Sequence, residues 1–225
     1  MEKIIIFVHT CKKYEESRAL KIEKTWGNKE NVIFITDNPN SSLKNHIYIG
    51  EYKKGITYHP ENVIKMFNLF IKKFSHYDWF MMIDDDAYLY TNKLIEYLKF
   101  QDKDEYLMIG DFLNWPTKWD YELTYNYWVA GGPGIVFTKK CIQYFIELIN
   151  KYKVRLENHD VWLHNLFLSS DKKMIKRIHC CGFHQYLNSP LVNRKIQSLS
   201  ENLLISIHLN GNMDSLYIFH NLIKN

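Results

Sequence analysis

Three consecutive acids, Asp84, Asp85 and Asp86, follow the apolar run Trp79 to Ile83 in the string WFMMIDDDAYLY, and they are the residues whose spacing points most directly to chemistry. Adjacent carboxylates repel one another. A divalent cation relieves that repulsion, because hard ions such as Mg²⁺ or Mn²⁺ prefer carboxylate oxygens. Asp84 and Asp86 stand two residues apart, so on an extended chain they point the same way. The run before them is apolar enough for a strand buried on both faces, and ligands of open α/β sheets sit at strand carboxyl ends. The pattern reads as a metal site, with a solvated turn or a helix cap as the plainer alternative. A cation held by one or two carboxylates keeps positions for phosphate oxygens, which points to a phosphorylated substrate.

A second feature is the turn Gly131-Gly132-Pro133-Gly134 ahead of an apolar run, suited to close approach of a ligand or of another backbone. Neither GxxxxGK[ST] nor a GxGxxG after a strand occurs, so the nucleotide loops that depend on those glycines are not expected. Between the acids and the glycine turn lie Trp115, Trp119, Tyr121, Tyr125, Tyr127 and Trp128. Core packing is the default for such residues, and an acceptor groove lined by rings is the functional alternative.

Alternating helix and strand patterns must position these groups. Lys3 to His9 reads as a buried strand and Glu15 to Trp26 as a helix with Ala19, Ile22 and Trp26 on one face. Asn31 to Asp37 and His46 to Gly50 read as strands, and Pro60 opens a helix striped by Val63, Phe67, Phe70 and Phe74. After the acidic strand come a helix near Asn92 to Phe100, a strand Leu107 to Gly110, and the glycine turn. Thr138 caps a helix bearing Cys141, Phe145, Leu148 and Tyr152. Met174 to Cys180 and Leu203 to Leu209 read as strands, and Ser215 to Lys224 as a closing helix. The alternation predicts an α/β fold with a central mostly parallel sheet flanked by helices, in a single domain over residues 1–225.

Composition narrows the function classes. With 46% hydrophobic and 24% charged residues the chain is globular rather than disordered or fibrous. A net charge of +4 without a basic run argues against a nucleic-acid partner. No apolar run approaches the roughly 18 residues of a membrane span, and the start has neither a signal-peptide core nor its cleavage site. Cys11, Cys141, Cys180 and Cys181 match no zinc or disulfide framework. A reducing, cytoplasmic setting is the expectation, rather than a Golgi-like lumen.

The order of the motifs resembles the Fringe-like and core-1 galactosyltransferase-like beta-1,3-glycosyltransferases over most of the chain. The string VHTCKKYEESRALKIEKTW is similar to that family's opening segment, VIFITD to its strand ending in Thr-Asp, and WFMMIDDDAYLY to its metal-binding turn. YWVAGGPGIVFTKK, HDVWLHN and ISIHLN follow in the family's order. The resemblance implies a GT-A fold and an inverting transfer of a sugar from a UDP-sugar to a hydroxyl of a glycan or glycoprotein, with Mn²⁺ or Mg²⁺ held by the acids. It implies Asp160 as general base, whose plain alternative is an N-cap aspartate. It offers His208 as the metal's histidine ligand, with His184 as the other contender. Thr10 and Asp37 are implied at the uridine end, Lys65 near the sugar or diphosphate, Asp84 and Asp85 at ribose and sugar hydroxyls, and Arg18 as a further donor contact. Gly131, Gly132 and Trp128 would line the substrate.

Three departures bear on substrate. His164 stands where the family has a small glycine one turn after the catalytic acid, where it would narrow the sugar pocket or contact the acceptor; His159 replaces an acid, and Pro133 a small residue. Two competing readings remain: a metal-dependent phosphohydrolase, and a carbohydrate- or UDP-sugar-binding protein that has lost turnover.

Overall fold

In the computed structural model the described residues are 2–52, 60–114, 127–151, 158–171, 174–180, 182–185 and 204–221. Expectations resting on Trp115, Trp119, Tyr121, Tyr125, Tyr152, Cys181, Leu203 and Lys224 lie outside them, as does the side chain of Tyr127.

The first strand, β1 (Ile4–His9), is apolar at every position but the last. It runs parallel to β2 (Val32–Thr36), which pairs in parallel with β3 (His46–Tyr48). On its other side lies β4 (Trp79–Asp84), also parallel, with His9 level with Asp84. Strand β5 (Ala87–Leu89) follows at once, then β6 (Leu107–Gly110), β7 (Phe112–Asn114), β8 (Tyr127–Val129) and β9 (Ile135–Thr138). The last three are β10 (Lys176–His179), β11 (Phe183–His184) and β12 (Ser206–His208). Seven of them form the main sheet in the order β10-β6-β9-β4-β1-β2-β3. Within it β9 is antiparallel to both neighbours and the other pairs are parallel.

Parallel strands with helices on both faces must be apolar on both sides. Ile4, Ile6 and Val8 of β1 join one core with Trp79, Met81 and Ile83 of β4. Ile5 and Phe7 join the other with Phe80 and Met82. The first core is closed by α1 (Leu20–Glu23), α3 (Thr91–Leu98) and α6 (Asp214–Asn221), through Ile22, Leu94, Leu98, Leu216 and Phe219. The second is closed by α2 (Pro60–Lys73), α4 (Lys139–Ile149) and α5 (His159–Leu168). Phe67 of α2 carries the stripe read from the sequence, meeting Phe80 and Phe137 edge-on and stacking on Phe145. Among the described residues no helix is long and apolar enough to cross a membrane.

One segment departs from expectation. Glu15 to Trp26 is not one α-helix but a 3-10 turn (Lys12–Tyr14), a π-helical stretch (Glu15–Ala19) and the short α1. The buried Glu15 carboxylate accepts from Asn38 Nδ2 at 2.8 Å, and from Ser42 N at 2.8 Å and Oγ at 3.0 Å. Those bonds tie the segment to the loop after β2. A widened turn of this kind is frequent where side chains must be aimed at a site, and Tyr14 and Arg18 are so aimed here.

Thr138 caps α4 as the sequence predicts, accepting from Cys141 N at 3.3 Å. The same hydroxyl accepts from Leu107 N at 3.1 Å and donates to Glu105 O at 2.7 Å, joining the helix start to β6. Thr138→Val keeps the shape and strands a buried donor and acceptor, so it should cost about 2 kcal/mol in urea unfolding. Thr138→Ser should recover most of that loss; a Thr138→Val variant as stable as wild type would show that the hydroxyl does not matter.

Candidate active site

All three acids are buried: Asp84 is 5% exposed, Asp85 2% and Asp86 3%. A solvated turn is thereby ruled out. Burial of adjacent charges is costly unless partners are supplied, and these come from distant segments. Thr10, which follows β1, donates its hydroxyl to Asp85 Oδ2 at 2.6 Å. Arg18 Nη1 reaches Asp85 Oδ1 at 3.2 Å and Asp86 Oδ2 at 3.0 Å, its guanidinium lying 4.0 Å over the Tyr14 ring. His208 Nε2 stands 3.0 Å from Asp86 Oδ1.

A small second sheet brings His208 there. Strand β5 pairs antiparallel with β12, setting His208 opposite Ala87, and Leu209 N donates to Asp86 O at 2.8 Å. The glycine turn leaves room for the ring, since a Cβ on Gly132 would lie 2.5 Å from His208 Nδ1. A Cβ on Gly131 would likewise overlap the His159 ring. Gly134 closes the turn at φ +98, a conformation that L side chains rarely adopt. The weak glycine signal in the sequence thus has a specific cause, the close approach of two imidazoles.

The partners are unequally shared. Burial pushes the Asp84 carboxyl well above the usual carboxylate range, Asp86, Asp85 and Asp160 add to the rise, and Arg18 opposes it. Burial also lifts Asp85, to about 7, despite the Thr10 hydroxyl and Arg18. For Asp86 the burial effect is outweighed by the hydrogen bond and charge of His208, by Arg18 and by the Gly211 N–H, so it lies below the usual range. One buried oxygen of Asp84, Oδ1, has no hydrogen-bond partner.

Asp84, Asp86 and His208 each offer a ligand atom, all within 4.8 Å of one another. The unpartnered oxygen and the repulsion raising Asp84 are what a divalent cation would relieve, so this donor set fits Mn²⁺ or Mg²⁺. His184 is not brought into the group; it pairs with Ile207, one register step away.

An open cavity of about 420 Å³ extends from these groups. Asp84, Asp86, His208, Arg18, Gly131 and Gly132 line it, together with Asp160. The N-cap position of α5 is Asn158, whose side chain makes no cap bond; Asp160 sits in the first turn, and its Oδ1 accepts from the helix-start Val161 N at 2.8 Å while the residue lines the cavity. Behind it His159 is buried beside His9, ring centroids 6.4 Å apart. Burial, then the neighbouring His159, lowers His9 to about 3, and burial lowers His159 against the pull of Asp160. Both rings are neutral at ordinary pH.

The other expected residues are more dispersed. Thr10 spends its hydroxyl on Asp85, and Asp37 Oδ1 accepts from Lys12 N at 2.7 Å. Lys65 on α2, half-buried His164 on α5 and half-buried Trp128 on β8 do not line the cavity. Sequence reasoning missed Tyr14, Asn158, Gln185 and Asn210, which do. Gln185 had one available signal, its place beside His184 in GFHQYLN.

A family model described as Fringe-like matches residues 1–218. No curated protein matches the sequence. Among solved structures, the galactosyltransferase LgtC in complex with donor and acceptor sugar analogs is similar at 14% identity and a TM-score of 0.46, over 91% of this chain and 86% of that one.

The raised carboxyls give a prediction for the metal-free protein. Because Asp85 titrates at about 7 when folded and near 4 when unfolded, the folded state holds more protons between those limits, and stability falls as pH rises through them. Asp84 acts in the same direction, and the lowered Asp86 acts only below about pH 4. Buried His9 and His159, both lowered, act in the opposite direction below about pH 6.5, so thermal melts in chelator should show a midpoint that drops only from about pH 6.5 upward to about pH 8. Excess Mn²⁺ should raise the midpoint most at the alkaline end, where protons no longer compete. A midpoint in chelator that is flat or rises between about pH 6.5 and about pH 8 would refute the assignment.

Proposed function

Since the chain belongs to the Fringe-like family of glycosyltransferases, we propose that it is a metal-dependent, inverting enzyme that moves a sugar from a UDP-sugar to a hydroxyl of a glycan or glycoprotein, forming a beta-1,3-type linkage. The observation that supports this most is the position of Asp160, a first-turn carboxylate lining the same cavity as Asp84, Asp86 and His208. A base and a cation-binding group share one open space.

Asp84, Asp86 and His208 would hold Mn²⁺ or Mg²⁺, which when bound offsets the negative charge gathering on the departing diphosphate. Asp160 takes the proton of the acceptor hydroxyl as its oxygen attacks the anomeric carbon from the face opposite the diphosphate. The new C–O bond forms as the old one breaks, the electron pair leaves with UDP, and the configuration inverts. Base catalysis of this kind contributes a factor of ~10² to 10⁴, with positioning and electrostatics supplying the rest.

Arg18, fixed between the Tyr14 ring and the Asp85 and Asp86 carboxylates, holds the acid turn in shape and lines the cavity beside it. Gly131 and Gly132 give the substrate a wall of bare backbone. Thr10, Asp37 and Lys65 are assigned to the uridine and diphosphate end, Asp84 and Asp85 to ribose and sugar hydroxyls, and Trp128 and His164 to the outer substrate surface. Residues 1–225 act as one catalytic domain in this reading.

The test is UDP release from a panel of UDP-sugars with Mn²⁺ or chelator. One donor should give metal-dependent release that Asp86→Ala abolishes and Asp160→Asn lowers by ~10² to 10⁴ while UDP binding persists. Release indifferent to chelator and to Asp160→Asn would overturn the mechanism. Inorganic phosphate from simple phosphoesters would instead favour a hydrolase, and binding without turnover a sugar-nucleotide-binding protein.

A further inference from the structure

Gln185 lines the cavity, and its side-chain Oε1 is buried without a hydrogen-bond partner. A buried amide oxygen left unpaired carries the full cost of its lost hydration, so an unpaired one on a residue that lines a cavity marks a place for a ligand group. Its backbone is held firmly. Gln185 N donates to Asp111 Oδ2 at 3.0 Å, and Asp111 O accepts from Ala130 N at 2.8 Å, next to the glycine turn. Cys180 N donates to Gly110 O at 2.9 Å, fixing the approach to β11 from the end of β6.

Register places this residue relative to the reacting groups. Strand β11 runs parallel to β12 with Phe183 level with Ser206 and His184 level with Ile207; Gln185 follows the end of β11, and it lines the same cavity as His208 at the end of β12. His208 in turn stands at Asp86. The residue therefore shares the cavity wall with the cation-binding group.

We propose that Gln185 determines sugar specificity: its Oε1 accepts a hydrogen bond from one hydroxyl of the sugar being transferred. This rests on the transferase reading above and adds to it a residue that reads the donor. The chemistry is suited to the task. A hydroxyl donates and accepts, an amide offers both functions in one plane, and a site built to hydrogen-bond a hydroxyl rejects analogues that lack it far more strongly than an apolar pocket does.

The experiment compares wild type with Gln185→Met, which keeps the side-chain length and loses the acceptor. The probes are UDP, UDP-glucose, UDP-galactose, their N-acetylhexosamine counterparts and monodeoxy analogues of the best donor, all with Mn²⁺. The variant should bind UDP as wild type does, which also verifies its fold, and should lose ~10²-fold in kcat/KM on the best donor. Wild type should suffer a similar loss on one monodeoxy donor, to which Gln185→Met is indifferent.

Equal kcat/KM for the two proteins, or equal losses on every deoxy donor, would overturn the assignment while leaving the transferase reading intact. Discrimination that moves to deoxy acceptors instead would also overturn it. If no donor is turned over, the transferase reading fails, and calorimetric affinities still judge Gln185. Weaker UDP-sugar binding by the variant at unchanged UDP affinity supports the assignment, and identical affinities, or no UDP-sugar binding by wild type, sink it.

Discussion

Three ionisable carboxylates packed in succession at the end of a buried strand are the constraint around which the rest of the molecule is arranged. None of the three can be left in the interior without help, and their own neighbours in sequence supply little of it. The help arrives from the start of the chain, as the Thr10 hydroxyl and the Arg18 guanidinium, and from near its end, as the His208 imidazole. Even so the compensation is incomplete, with Asp84 pushed far up by burial and by its acidic neighbours. A local charge imbalance of that kind would make a poor stabilising device. It makes sense as a cation-binding group, because a divalent ion removes the same repulsion that the fold leaves in place.

The sheet order explains how the partners meet. With β4 next to β1 and both running the same way, the acids emerge beside the residues that follow β1, and Asp84 is level with His9. The two cores on either face hold these strands rigidly, so the carboxyl ends form a stable rim. The irregular helical segment after β1 then turns Tyr14 and Arg18 back over that rim, anchored from behind by the hydrogen bonds of buried Glu15. Across the opening, the glycine turn lets two histidine rings approach where any side chain would collide. One of them adjoins Asp160, the other meets Asp86. The turn therefore links the base side of the cavity to the cation side.

Much of this was legible in the residues. The double-faced apolar strands, the phenylalanine stripe on α2 and the Thr138 cap follow from periodicity and from cap chemistry, which act over a few residues. The helix after β1 was misjudged because its apolar spacing suits an α-helix, while the burial of Glu15 and the reach of Arg18 toward the acids favour a wider turn. Strand β5 was not anticipated either, since Ala-Tyr-Leu is too short to show a period and exists as a strand through its pairing with β12. Gln185 offered no signal beyond its neighbour His184, as a polar residue in a loop-like string has no pattern to announce it.

By itself, then, the sequence determined the alternation of strands and helices, the acidic turn at a strand end and the family to which the chain belongs. These are encoded locally or in the order of short motifs. Only the tertiary structure decided that the acids are buried, that His208 rather than His184 stands at Asp86, and that Asp160 lies in the first turn of α5, two residues past the cap position, and lines the cavity. His208 and Asp86 lie 122 residues apart, and Arg18 and Asp86 68. Their meeting depends on which strands pair and in what register. That is settled by burying two continuous cores at once, a condition on the whole chain that no short stretch of it expresses.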